Sequence, residues 1–453
     1  MNNKLFTLIT AFLLAMGACV SASAQEAASG GGNAFSLQQC IDYAMHNTVA
    51  VQNAEIDAKI ADAKVAETTG LGLPQVNLEA NFVDNLKIRT TFLPAQFFDP
   101  EAPAGAQTPV QFGVKYSSDV AVNVQQLLFD GTFFMGLKAA KTFTELSKKQ
   151  LTQTKIETVA NVTKAYYTVL ISRERLEILK ENHDAIEKIY KETKMFYEAG
   201  MVEQIEVDRL EVALNNIKVQ KENAEQLTVV SEQLLKYQMG MKLDEQIELS
   251  ENLEEAGKAL AAYNAENTKN LRIEQSILET SIALNELERK AKFSEYYPKL
   301  YAFGSYGYTA GGNSMSDMGE WFDLANVGVS FKMPIFSGMM KSKQLEQIKL
   351  EGLKLENTKV GLEKQITIEQ KNAEIDYETN LKNLQTQKRN MEVAKHVLDI
   401  ANIKFKEGVG SSLEVSNAEK DYVTAADSYY SSLFNAITAK VDLEKANGTL
   451  SVD

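Results

Sequence analysis

Between Met339 and Glu407 the chain runs 69 residues without a proline and then meets a glycine, Gly408. Within that run Tyr377, Leu384, Met391, Leu398 and Phe405 stand at every seventh position. An apolar residue at every seventh position keeps one narrow seam on one side of a helix, and such seams wind helices together as coiled coils. At ~1.5 Å per residue the run would be roughly 100 Å long, far beyond what a compact domain needs. Whatever this chain folds into must span that distance.

The same plan occurs twice. A second proline-free stretch, from about Thr132 to Ala199, carries Val162, Val169, Leu176, His183, Tyr190 and Tyr197 at seven-residue steps and is broken by Gly200. Phe129 and Phe336 are 207 positions apart, as are Gly131 and Gly338, and Gly200 and Gly408 are 208 apart. Each half therefore reads as helix, strand, loop, strand, long helix, glycine break and return helix. Repeat one covers about 36–240 and repeat two about 264–450, with an acidic excursion at about 241–263. Periodicity predicts helices over about 36–72, 131–240, 264–297 and 337–449. The first runs unbroken from Leu37, capped by Ser36, to about Thr69. Return helices occupy about 202–238 and 412–447, and a helix at about 267–294 precedes the second hairpin. Stacking the first return helix end to end on 267–294, and the last helix on 37–69, makes columns as long as the two long helices.

Strand signals fall at about 74–130 and 298–336. Val76, Leu78, Ala80 and Phe82 alternate with polar residues, as do Val120, Val122 and Val124, then Leu300, Ala302, Tyr306 and Tyr308, then Val327, Val329 and Phe331. Prolines 94, 100, 103 and 109 mark a long loop between the first two strands. Alternating strands flanked by aromatics such as Phe92, Phe97, Phe98, Trp321 and Phe322 are the pattern of a transmembrane β-barrel. Four strands cannot close a barrel, and lipid tolerates no open edge, so the barrel must be shared among subunits.

The N-terminus reads as a secretory signal, residues 1–24: Lys4, an apolar core from Leu5 to Met16, and small residues Ala22-Ser23-Ala24 before Gln25. Lipid attachment at Cys19 competes, because a Ser/Gly-rich tether follows, although Met16-Gly17-Ala18 is a poor attachment box. The formal charge of −14 argues against a nucleic-acid partner. His46, His183 and His396 lie on different helices without ligand spacing, so no metal site is expected. Cys40 reads as a small buried apolar residue, and Asn447-Gly448-Thr449 as a helix stop rather than a glycosylation acceptor. No nucleophile, phosphate loop or acid–base pair emerges; neither an enzyme nor a cofactor is expected.

In this order, the segments Phe35-Ser36-Leu37-Gln38-Gln39-Cys40-Ile41, Leu73-Pro74-Gln75-Val76, Leu128-Phe129-Asp130-Gly131 and Pro334-Ile335-Phe336-Ser337-Gly338 resemble the TolC-type outer-membrane efflux proteins. So do Tyr197-Glu198-Ala199-Gly200 with Glu206-Val207, and Phe405-Lys406-Glu407-Gly408 with Glu414-Val415. The resemblance implies a mainly α fold with a small transmembrane β part: a duplicated long-helix tunnel in the periplasm joined to a 12-stranded barrel shared by a trimer in the outer membrane. It implies a periplasmic adaptor and an inner-membrane transporter of the RND, ABC or MFS type as partners. The implied function is a passive exit duct; a type I protein-secretion duct or a non-conducting coiled-coil spacer are the alternatives, and a spacer needs no amphipathic hairpins.

The resemblance places Gly200 and Gly408 at the periplasmic tip, where family members meet the adaptor; as plain chemistry they are helix-ending glycines. Tyr197 and Phe405 end the two seams just before those glycines and read either as core or as the aromatics that narrow a closed entrance. Glu206 and Glu414, six residues past each glycine, would form a carboxylate ring that attracts cations in a confined tunnel. The family carries acidic residues at the positions of Glu414 and Asn417, and in some members an arginine at that of Gly410 that pairs with the neighbouring hairpin. Here only Glu414 is charged and Gly410 cannot pair. Weaker electrostatic closure is expected, with Phe405 and Tyr197 as the main barrier.

Overall fold

The computed structural model describes residues 34–251, 253 and 271–450. The secretory segment, Cys19, the later part of the acidic excursion and the first residues of repeat two lie outside the described residues. Repeat one begins with α1 (Leu37–Asn47) and α2 (Val49–Gly70). Strands β1 (Gln75–Asp84), β2 (Thr90–Pro94), β3 (Gln107–Gln111) and β4 (Tyr116–Phe129) follow, then long helix α3 (Gly131–Glu198) and return helix α4 (Gln204–Met239). Repeat two gives α5 (Ile273–Ser294), β5 (Lys299–Gly312), β6 (Phe322–Lys332), long helix α6 (Met340–Lys406) and return helix α7 (Ser412–Asn447). Among the described residues no helix is long and apolar enough to cross a membrane.

Three expectations need correction. The first helix is not continuous: Thr48 takes an extended conformation (φ −68°, ψ 129°) and divides α1 from α2. The cause is a crossing. Gly240, at the end of α4 with φ +72°, comes so close that a Cβ there would stand 2.4 Å from the Asn47 carbonyl oxygen. That contact also exchanges the stacking partners. The 36-residue α4 meets the α1–α2 break and continues toward the 22-residue α2, not toward α5. The end of the 36-residue α7 lies with the start of the 22-residue α5, where Arg272, Asp442, Lys445 and Ala446 line one cavity. Each return helix thus abuts the lead-in helix of its own repeat, and length alone could not tell the two arrangements apart. Finally, the proline-rich loop contains a two-stranded ribbon, β2 with β3, in which Phe92 faces Pro109. Proline survives there because a two-stranded ribbon is all edge and not every N–H is needed.

Both seams are buried or half-buried along their length except at Tyr197, the last residue of the α3 seam, which is exposed. On α6, Tyr377 and Leu384 pack with Tyr430, Leu433 and Ile437 of α7, and Leu398 packs with Val415, Ala418 and Tyr422. On α3, Val162 and Val169 are fully buried beside Cys40, Ala44, Leu235 and Met239. The helices lie side by side in the order α4, α3, α7, α6. Ion pairs between α3 and α7 tie the two middle columns: Lys164 to Asp442 and Arg175 to Asp427, both at 2.7 Å.

The strands form one antiparallel sheet in the order β1-β4-β5-β6, with β1 and β6 as open edges. Register sorts its two faces. Asn77 faces Asn123, Asn123 faces Ser305 and Ser305 faces Asn326, a polar row across all four strands. One residue along, Leu78 faces Val122, which faces Tyr306, which faces Ala325. A sheet apolar on one face and polar on the other, with the apolar side chains exposed, separates lipid from water. Phe92, Phe97, Phe98, Trp321 and Phe322 are all exposed near its far end.

Candidate functional site: the glycine turns and the amphipathic sheet

Both glycine turns have one construction. After α3, the Met201 N–H donates to the Phe196 carbonyl (2.8 Å) and the Gly200 N–H to that of Tyr197 (2.8 Å). After α6, the Val409 N–H donates to the Lys404 carbonyl (3.0 Å) and the Gly408 N–H to that of Phe405 (3.1 Å). Gly200 and Gly408 both have φ +74°, the left-handed conformation that lets a helix satisfy its last carbonyls while reversing. Ser411 then caps α7, its hydroxyl accepting from the Glu414 N–H at 3.3 Å.

Beyond the backbone the turns diverge. Glu206 is not a free wall carboxylate. It accepts from Arg209 Nη1 at 3.0 Å, from the Ser412 N–H at 3.2 Å and from the Ser412 hydroxyl, and Ser412 is fully buried. The first hairpin is therefore fastened to the second by a charge-assisted contact. Glu414, its counterpart, is exposed and its carboxylate has no partner among the described residues. A pair of equivalent carboxylates is replaced by one structural and one solvent-facing acid.

The aromatics part company as well. Phe405 is half-buried against Ile186, Ile189, Leu210 and Val415, whereas Tyr197 lies outside that cluster, 41% exposed, its hydroxyl donating to Gln204 Oε1 at 3.3 Å. Gly410 sits over the last turn of α6, donating its N–H to the Lys404 carbonyl (3.0 Å). A Cβ at that position would stand 3.0 Å from both Lys404 Cβ and Phe405 N, so an arginine there requires the end of α6 to give by a few tenths of an ångström. Asn417 is exposed and lines a cavity of about 690 Å³ between α3, α4 and α7, with Asn216, Gln220, Asn223 and Glu419. Glu419 is buried there without a partner among the described residues, and desolvation lifts its carboxyl to about 7.

Residues 40–240, which hold the first glycine-turned hairpin and strands β1 to β4, match the model of the outer membrane efflux protein family. The match spans a little under half of the chain. Outer membrane protein TolC of Vibrio cholerae is 20% identical over 341 residues, 73% of this chain and 76% of that protein. The fold is that of solved outer-membrane channels. The open state of the Neisseria gonorrhoeae MtrE outer membrane channel matches with a TM-score of 0.70 at 16% identity, over 92% of this chain and 90% of that one. The Campylobacter jejuni CmeC outer membrane channel matches at 0.69 and 16%, over 93% and 90%.

Sequence reading of this chain missed three things. Ser412 gave no signal, since its importance comes from a contact 206 positions away. Glu419 sits at an apolar-facing step of α7 next to Ala418, so a helical projection would have flagged a buried acid. His183, Asp184 and Glu187 bring ligand atoms within 4.8 Å of one another at adjacent and one-turn spacing. In that group Glu187 is held by Lys191 at 2.8 Å and His183 by Asp184 at 3.1 Å. The Cys40 thiol is fully buried and pushed up to about 12 by desolvation, and α7 ends at Asn447 with Gly448 left-handed.

Proposed function

We propose that three copies of this chain close into an exit duct: a 12-stranded barrel in the outer membrane continued by a helical tunnel into the periplasm. The single observation that carries the reading is the open sheet, which has an in-register exposed apolar face and two unpaired edges. Lipid requires every backbone group to be paired, so β6 must meet β1 of another copy. The helices support the same closure. The two flanking columns keep exposed apolar residues at seven-residue steps: Ile205, Val212 and Val219 on α4, and Ile368 with Ile375 and Val393 with Ile400 on α6. Complementary seams on opposite flanks make a head-to-tail contact, which generates a ring.

In this duct the glycine turns form the periplasmic entrance, where a periplasmic adaptor docks and an inner-membrane transporter of the RND, ABC or MFS class delivers cargo. The chain's own residues perform no bond chemistry; they provide a water-filled path and a gate. Gly200, Gly408 and Gly410 shape the tip, Phe405 fills the cluster behind it, and Glu206 with Ser412 holds the hairpins together. Tyr197, Glu414 and Asn417 are exposed on the single chain and are free to meet neighbouring copies. Purified protein is expected to have trimeric mass in mild detergent and to give single-channel currents in a planar bilayer. A monomer, or a trimer that never conducts, overturns the proposal.

A further inference from the structure

The internal duplication allows the contact between copies to be read at residue level. In the first hairpin Gln75 pairs with Gln125, and in the second Lys299 pairs with Lys332. Gln75 and Lys299 each follow a proline, Pro74 or Pro298, and Gln125 and Lys332 each precede the landmark phenylalanine by four positions. The two hairpins are therefore equivalent strand by strand: β1 with β5, β4 with β6. Within the chain, β4 meets β5 with Gln125 opposite Phe303. Between copies the corresponding junction is β6 against β1. The equivalent of Gln125 is Lys332, and Phe303, four beyond Lys299, corresponds to Glu79, four beyond Gln75.

We propose that Lys332 pairs directly across the subunit junction with Glu79 of the partner subunit, and that this pair fixes the register in which the barrel closes. Resting on the three-copy duct, the assignment is supported by independent features of the chain. Lys332 and Glu79 are both exposed, and neither has a hydrogen-bond or ion-pair partner among the described residues. Lys299, which faces Lys332 across the strands, is already neutralised by Asp130 at 2.7 Å. Both proposed partners project from the polar face of the sheet, so the pair lies on the lumen side. The same register sets Met333 opposite Leu78, Phe331 opposite Ala80 and Val329 opposite Phe82, so the apolar face continues across the junction. A slip of one residue would turn every apolar side chain of one strand into the lumen. A slip of two keeps the faces but sets Lys332 opposite Asn77 or Asn81 and leaves both charges without a partner.

Cysteine pairs test the register. Lys332→Cys is combined in turn with Glu79→Cys, Asn77→Cys and Asn81→Cys in the full-length protein, which is oxidised in membranes and run on denaturing gels; native Cys40 is fully buried. Directly opposed Cβ atoms lie about 4.5–5.5 Å apart and diagonal ones farther, so the Glu79 combination is expected to give the strongest covalent ladder to trimer. Charge exchange tests the ion pair. Lys332→Glu or Glu79→Lys alone is expected to lower the dissociation temperature of the trimer by about 2–6 °C, and the double exchange to recover most of it. A ladder strongest with Asn77→Cys or Asn81→Cys, or no ladder from a particle of trimeric mass, overturns the register while leaving the trimer standing. Monomeric mass with no ladder overturns the duct itself.

Discussion

Glu419 is a carboxyl group placed where ionisation is expensive. It lies on α7, 7% exposed, beside the cavity between α3, α4 and α7, and no side chain among the described residues pairs with it. Burial lifts its pKa from 4.5 to about 7. In the native chain it therefore holds a proton that the unfolded chain has already released between those two values. Because the native state binds the extra proton, stability is greatest below about pH 4.5, falls as pH rises through the window, and reaches its full penalty above about pH 7. A displacement of roughly 2.5 units at ~1.4 kcal/mol each makes that penalty about 3 kcal/mol per chain, an upper bound because the surroundings relax. Glu419→Gln keeps the shape and the polar end but cannot ionise. The variant and the wild type are expected to melt together at about pH 5, and the variant several degrees higher at about pH 8. Thermal unfolding followed by far-UV circular dichroism at a fixed scan rate reads the difference. An equal offset at both pH values would show that the carboxyl does not titrate in this range, and the account of its burial would be wrong.

Other perturbations probe the tip and the core. Glu206→Gln keeps an acceptor for Ser412 but loses the charge that strengthens the contact, a loss of roughly 1–2 kcal/mol; resting single-channel currents should rise, and an unchanged closed level would show that the tie does not restrain the entrance. Glu414→Ala should lower cation preference and weaken block by multivalent cations; unchanged reversal potentials in asymmetric salt would remove Glu414 from the tunnel wall. Gly408→Ala imposes a left-handed conformation on a residue with a Cβ, costing about 1–2 kcal/mol, and should speed hydrogen exchange at the ends of α6 and α7 while leaving the sheet unchanged. Cys40, fully buried with its thiol raised to about 12, should react with maleimide at neutral pH only after denaturation; rapid labelling of the folded protein would contradict its place in the core.

The long helices, their seams and their glycine ends were legible because each follows from local rules: a seven-residue step, the absence of proline and a residue able to adopt positive φ. Strand faces were legible for the same reason, since alternation shows which side of a strand is apolar without knowing its partner. What escaped depends on contacts distant in sequence. Thr48 looks like any helical threonine until Gly240 arrives against Asn47. Stacking of α4 on α2 rather than on α5 could not be read from lengths, because α2 and α5 are equally long, 22 residues each. Glu206 and Glu414 looked equivalent at equal distance from their glycines. They differ because the opposite position of α7 is Ser412, which donates twice to Glu206.

Duplication and divergence therefore do different work in this chain. Two copies of one plan provide what a duct needs everywhere along its length: equal columns, equal turns and, in the proposed trimer, a junction between copies (β6 with β1) that repeats the one within a chain (β4 with β5). An exactly repeated chain would treat the junction inside a subunit and the junction between subunits alike, with nothing to distinguish a closed ring from a slipped one. The departures from symmetry fall at those junctions. Asp130 with Lys299 fastens the inner one, where Ser337 and Gln75 stand at the equivalent places of the outer one. Lys332 and Glu79 supply the charges for the outer junction, where Gln125 and Phe303 are uncharged within the chain. At the tip, Glu206 holds Ser412 while Glu414 stays unpaired, so one contact of each quasi-equivalent pair is kept closed and the other is left to neighbours, ions and cargo. A gate requires that inequality: if every hairpin contact were equally strong, no subset could yield before the whole tunnel did.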